Sequence, residues 1–103
     1  MPDPSDEPTS AQRSQSPELS RLVGQPLVLD MASRYVVLGT LVEATPRFVI
    51  LSDADVHDLR DTSTTRDSYV LDARRFGISV SRSEAWIRIE EIVGISRLDA
   101  VVV

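Results

Sequence analysis

Gly39 lies in the middle of an apolar run, "RYVVLGTLVEA" from Arg34 to Ala44, and no other residue constrains the fold as much. The residues on both sides of it are strand formers. A glycine inside such a strand marks a bulge or a sharp bend, the kind of feature that curls a sheet into a small barrel. Apolar segments of similar length flank the run, "PLVLDM" before it and "RFVILSDA" after it, with breaks at Ala32-Ser33 and Thr45-Pro46. Three strands in series, joined by short connections, predict an antiparallel meander whose second strand is strongly bent.

Composition supports this reading. The 103 residues contain no Cys, which excludes a disulfide scaffold and a thiolate metal site together. With one Trp, two Tyr and two Phe, the core must be built from Val, Ile and Leu, so one small, mainly β domain is expected. No apolar run approaches the roughly 20 residues that span a bilayer, and the first residues lack the basic-then-apolar layout of a signal peptide. A cytoplasmic protein without membrane contact is the expectation.

The formal net charge is −5, and every basic residue is Arg, since the sequence has no Lys. Non-specific nucleic-acid binding over the whole surface is thereby disfavoured. A local Arg-lined site is not, because Asp3, Asp6, Glu7 and Glu18 against Arg13 place part of the acidity at the start of the chain.

Residues 1–15 are rich in Pro, Ser, Asp and Glu and have almost nothing to bury, which predicts a disordered tail followed by one domain over residues 16–103. "SPELSRLVG" reads as a helix of about two turns, with Ser16 as N-cap, Pro17 at the first position and Gly24 in the left-handed position past the end. Leu19, Leu22 and Val23 share one face of it. From Asp55 to Arg66 the chain is polar, and "DSYVLDARRFG" then places Tyr69, Ala73 and Phe76 at helical spacing. This predicts a loop and helix insertion over residues 55–77. Strand readings resume with "ISVSR", "AWIRI" and "IVGISRL", separated at Ser83-Glu84 and Glu90-Glu91, before the apolar end "AVVV".

From Leu19 to Ser96 the chain resembles the Sm-like superfamily (Sm, LSm and Hfq), as a divergent bacterial-type member. "LVGQPLVLDMASRYVVLGTLVEATPRFVILSDA" is similar to the first Sm motif: a helix ending at Gly24, an alternating strand, a turn with Arg34, the bend glycine Gly39, and a strand ending in Asp53-Ala54. "IRIEEIVGI", Ile87 to Ile95, is similar to the second motif, with Ile89 and Glu91 where the family has Gly and Asn. The competing placement takes "VSRSEAWIRI", through Arg82, as the second motif, with an added strand beyond Glu90. The resemblance implies a short N-terminal helix followed by a strongly bent five-stranded antiparallel open barrel, with the insertion ahead of the fourth strand. It gives Gly24, Gly39 and Asp53 structural roles. It also implies a homo-oligomeric ring, closed by pairing the fourth strand of one subunit with the fifth of the next, and single-stranded RNA at the pore.

Carried over residue by residue, the resemblance leaves few RNA contacts. The Sm-type acidic residue and Asn are missing from "ATPRFV", where Thr45 stands instead. Phe48-Val49-Ile50-Leu51 matches the Phe-Val-Ile-Leu of Hfq, whose Phe stacks on a base, and Arg88 matches the second-motif arginine. The residues support this on their own terms, since an aromatic face stacks on any base while the neighbouring Arg47 holds a phosphate. The alternative keeps Phe48 as a strand-end core residue and Arg47 and Arg88 as solvated charges.

"DADVHD" gathers Asp53, Asp55, His57 and Asp58, and carboxylates with an imidazole can ligate divalent ions. An EF-hand loop counted from Asp53 has Asp58 where Gly is required and Thr64 where Glu is required. The reading adopted is therefore an apolar strand, Phe48 to Leu51, that emerges at Asp53 into a charged loop, with no metal and no cofactor. No Cys nucleophile, phosphate loop or nucleophile elbow is present, so no enzyme is expected. Two functions stand: an Sm-like ring subunit holding single-stranded RNA through Arg47, Phe48 and Arg88, or a protein-interaction module that keeps the barrel and has lost the RNA pocket.

Overall fold

The computed structural model describes residues 17–60 and 65–103; the tail expected over residues 1–15 and the N-cap expected at Ser16 lie outside the described residues. Helix α1 (Pro17–Ser20) precedes strands β1 (Pro26–Met31), β2 (Tyr35–Ala44) and β3 (Phe48–Asp58). Helix α2 (Arg66–Phe76) follows, then β4 (Arg82–Arg88), a 3-10 turn (Ile89–Glu91), β5 (Ile92–Arg97) and a second 3-10 turn (Leu98–Ala100). One antiparallel five-stranded sheet has the order β4-β3-β2-β1-β5.

The bend is built where β2 meets β3. Leu38 pairs with Asp55 and Thr40 with Ser52, so two residues, Asp53 and Ala54, stand opposite Gly39 alone. Such a bulge needs a backbone twist, and Asp53 supplies it with φ 49°, in the left-handed region that Asp tolerates better than most residues. Gly39 lets the strands close over it: a Cβ there would lie 2.9 Å from the Leu51 Cβ and 3.1 Å from the Ala54 Cβ. A second irregularity at Leu41/Glu43 adds Val42 to β2. The bent sheet encloses one core, formed by Leu27, Leu29, Val37, Leu41, Val49, Leu51, Ala54 and Ala85.

The opposite face of β1 and of the first half of β2 is also covered. Val28, Val36 and Leu38 pack with Val70 and Ala73 of α2 and with Leu98. This explains the uninterrupted runs "LVL" and "VVL": strands buried on both faces have no polar side to show. Thr65 caps α2 by accepting from the Ser68 N–H (3.1 Å), Gly77 ends it at φ 92°, and Arg66 pairs with Asp30 of β1 at 3.0 Å. At the far end of the hairpin, Arg34 reaches Asp58 at 3.1 Å and lies 4.8 Å from the Tyr35 ring centroid. The Arg60 backbone N–H and the Arg34 guanidinium hold the Asp58 carboxyl below its ordinary pKa.

Several expectations are corrected. Helix α1 is a single turn, because the amides of Leu22 and Gln25 make tighter three-residue bonds and Gly24, at φ 84°, already donates to the Leu41 carbonyl (2.7 Å). Leu22 packs on the core, whereas Val23 is 48% exposed. Strand β3 does not give way to a loop at Asp53 but continues to Asp58, so the insertion starts later than residue 55. Of "ISVSR", residues 78–81 form a connection outside the strands and Arg82 opens β4, which also contains Ser83-Glu84 and whose outward face is solvated. Arg82–Arg88 is the single strand β4, and Ile87–Ile95 runs from β4 through the 3-10 turn into β5.

Gly39→Ala overpacks a site where neither Leu51 nor Ala54 can withdraw. We expect a loss of about 1–3 kcal/mol in chemical denaturation. A loss of only a few tenths would mean that the bend does not depend on this contact.

Candidate nucleic-acid interface

The β2–β3 connection is a tight hairpin. Thr45 fixes it by donating its backbone N–H to the Phe48 carbonyl (2.7 Å) and accepting with Oγ1 from the Phe48 N–H (3.0 Å) and the Arg47 N–H (3.3 Å). Pro46 presets the backbone at the first loop position. The β4–β5 turn lies beside this hairpin, held by the Ile89 N–H donating to the Arg47 carbonyl at 2.8 Å. The two turns enclose an open groove of about 630 Å³ lined by Pro46, Arg47, Phe48, Arg88, Ile89 and Glu90. Arg47, Phe48 and Arg88, singled out in sequence, thus meet at one place.

Phe48 stands directly opposite Arg88 in the β3–β4 register and is half-buried, while Arg47 is exposed. Arg88 pairs with Glu90 at 3.1 Å, both side chains being largely solvated. Such an exposed pair contributes little to stability and is readily exchanged for another anion. Sequence reasoning missed two members of this surface. Glu90 was read as part of a strand break, and Trp86, read as an apolar strand residue, sits edge-on to Phe48 with ring centroids 5.6 Å apart. The available signal was period-two alternation, which puts Trp86 on the face of Arg88 once β4 is placed.

The acidic stretch at the end of β3 has a different task. Asp53 is exposed in the bulge, while Asp55 and His57, paired with Leu38 and Val36, face α2. The Asp55 carboxylate accepts from the Tyr69 hydroxyl and from the Ser81 hydroxyl (2.6 Å), and the His57 ring stacks on Tyr69 with centroids 4.0 Å apart. Burial, then the hydrogen bond to Asp55 and its charge, push the Tyr69 phenol above its ordinary pKa, so it remains a donor. Ser81 is thus bound to Asp55, while His57 is engaged with the Tyr69 ring. Among the described residues, no group of three or more His, Asp or Glu side chains is placed to hold a metal ion, and no helix is long and apolar enough to cross a membrane.

Helix, bent five-stranded barrel, strand order and two adjoining turns define an Sm-like fold. Solved structures agree. The Sm protein of Pyrococcus abyssii in complex with a uridine heptamer aligns with a TM-score of 0.52 at 17% identity, over 78% of this chain and 92% of that one. A heptameric archaeal Sm protein aligns at 0.54 and 16% identity, over 80% and 97%. A chain of the NatC complex bound to CoA aligns at 0.51 and 14% identity, over 77% and 82%. No protein-family model and no curated protein sequence matches the chain.

Tyr69→Phe keeps the stacking on His57 and removes one of the two donors to Asp55. A hydrogen bond to a carboxylate in a half-buried setting predicts a loss of about 1–2 kcal/mol in chemical denaturation. An unchanged midpoint would assign the seating of α2 to ring stacking and apolar burial alone.

Proposed function

We propose that this chain is the subunit of a closed Sm-type ring that binds single-stranded RNA at the pore, with Phe48 stacking on a base and Arg47 and Arg88 meeting the phosphates. The observation that carries the proposal is the convergence of these three residues on one open groove between the two turns. Assembly follows from the sheet order. Strands β4 and β5 lie at opposite edges of the sheet and contain no Pro. Unpaired edges of this kind invite strand addition, and joining β4 of one copy to β5 of the next is a head-to-tail contact that closes by rotation. Repetition around a pore then compensates for the weakness of each contact, an advantage to a chain whose formal net charge is −5.

The alternative, a protein-interaction module on the same barrel, draws support from Glu90, whose carboxylate engages Arg88, and from the likeness to a chain of the multi-protein NatC complex.

Binding of labelled oligouridine, followed by fluorescence anisotropy over a range of salt, separates the two. We expect tighter binding to single strands than to duplex and a steep loss with salt. Phe48→Ala should weaken binding about tenfold or more, and Arg88→Ala should flatten the salt slope. No binding at low salt would overturn the RNA reading and leave the interaction module.

A further inference from the structure

The β3–β4 register sorts side chains onto two faces. Val49 opposite Ile87 and Leu51 opposite Ala85 point into the barrel core. Phe48 opposite Arg88 and Ile50 opposite Trp86 therefore point away from it. Ile50 is only 6% exposed there, whereas Trp86 is 57% exposed. The planes of Phe48 and Trp86 meet at 60° in an edge-to-face contact, which leaves each ring a face that the other does not cover. Trp86 lies two residues before Arg88, about 7 Å along the strand. Two aromatic rings with a guanidinium beside them form a continuous surface that begins in the groove and runs up β4.

We propose that Trp86 is a second base-stacking position, so that each subunit holds two successive nucleotides of a single strand, the first on Phe48 and the second on Trp86. The inference rests on the RNA reading above and extends it. Arg88 flanks the ring pair, opposite Phe48 and two residues from Trp86 on the same face, and is placed to meet the linking phosphate. Glu84, exposed two residues beyond Trp86 on the same face, repels a further phosphate and ends the track there. The surroundings favour RNA over an apolar protein surface. Along its own strand Trp86 is flanked on this face by Glu84 and Arg88, both exposed, and the combination of an open ring and a guanidinium suits a planar base carrying a phosphate.

Trp86 is the only tryptophan in the chain, so its intrinsic fluorescence reports on this position directly. Titration of the full chain with oligouridine should quench that fluorescence in step with the anisotropy of labelled RNA. Trp86→Ala should weaken binding about tenfold (1.4 kcal/mol), Trp86→Phe should retain most of the affinity, and native mass should be unchanged in both. Unchanged fluorescence and a neutral Trp86→Ala, with Phe48→Ala still weakening binding, would overturn this inference and spare the pore. Loss of native mass in both variants would overturn it by assigning Trp86 to the contact between copies. No binding by the wild type would overturn both.

Discussion

The close approach of Gly39 to Leu51 and Ala54 is the constraint on which the remaining architecture depends. Because β3 carries one residue more than β2 at this point, with Asp53 in the left-handed region, the sheet turns sharply and its two halves serve different ends. One half, β1 with the start of β2, is buried on both faces by the core and by α2, which also lies against the end of β3. The other half, β4 with the start of β3, keeps one face open. A flat sheet would have no enclosed core and would not bring the β2–β3 and β4–β5 turns side by side.

The outer layer is held by polar as much as apolar chemistry. Asp55, Tyr69, Ser81 and His57 fasten α2 and the chain that follows it to the end of β3, while Val70 and Ala73 supply the buried area. The acidic residues and the histidine that suggested a metal or acid/base site in sequence are therefore partners for an inserted helix. They stabilise the half of the sheet remote from the groove and leave the groove itself solvated.

Legibility in the sequence followed the source of each element's stability. Strands β1 and β2 were readable because their apolar runs and turn residues are local signals, and Gly39 was readable as a bend because a glycine has no other reason to interrupt such a run. The second half of β3 was not, since Asp55 and His57 look like loop residues until a helix fourteen positions away in sequence from Asp55 supplies Tyr69. The start of β4 was hidden for a related reason: an edge strand shows Ser83 and Glu84 to solvent, so the pair reads as a break between two strands. In the groove, Arg47, Phe48 and Arg88 were found through a family likeness supported by their chemistry. Trp86 was read only as part of the apolar strand "AWIRI", and it is the register that places it on the outer face beside Phe48 and Arg88.

A pore exists only if copies of the chain close into a ring, so native mass spectrometry of the protein is the most direct test of the account. One discrete closed-ring mass that persists on dilution is the expected result. A monomer or dimer at every concentration would contradict it, because Phe48, Arg47 and Arg88 would then surround no pore.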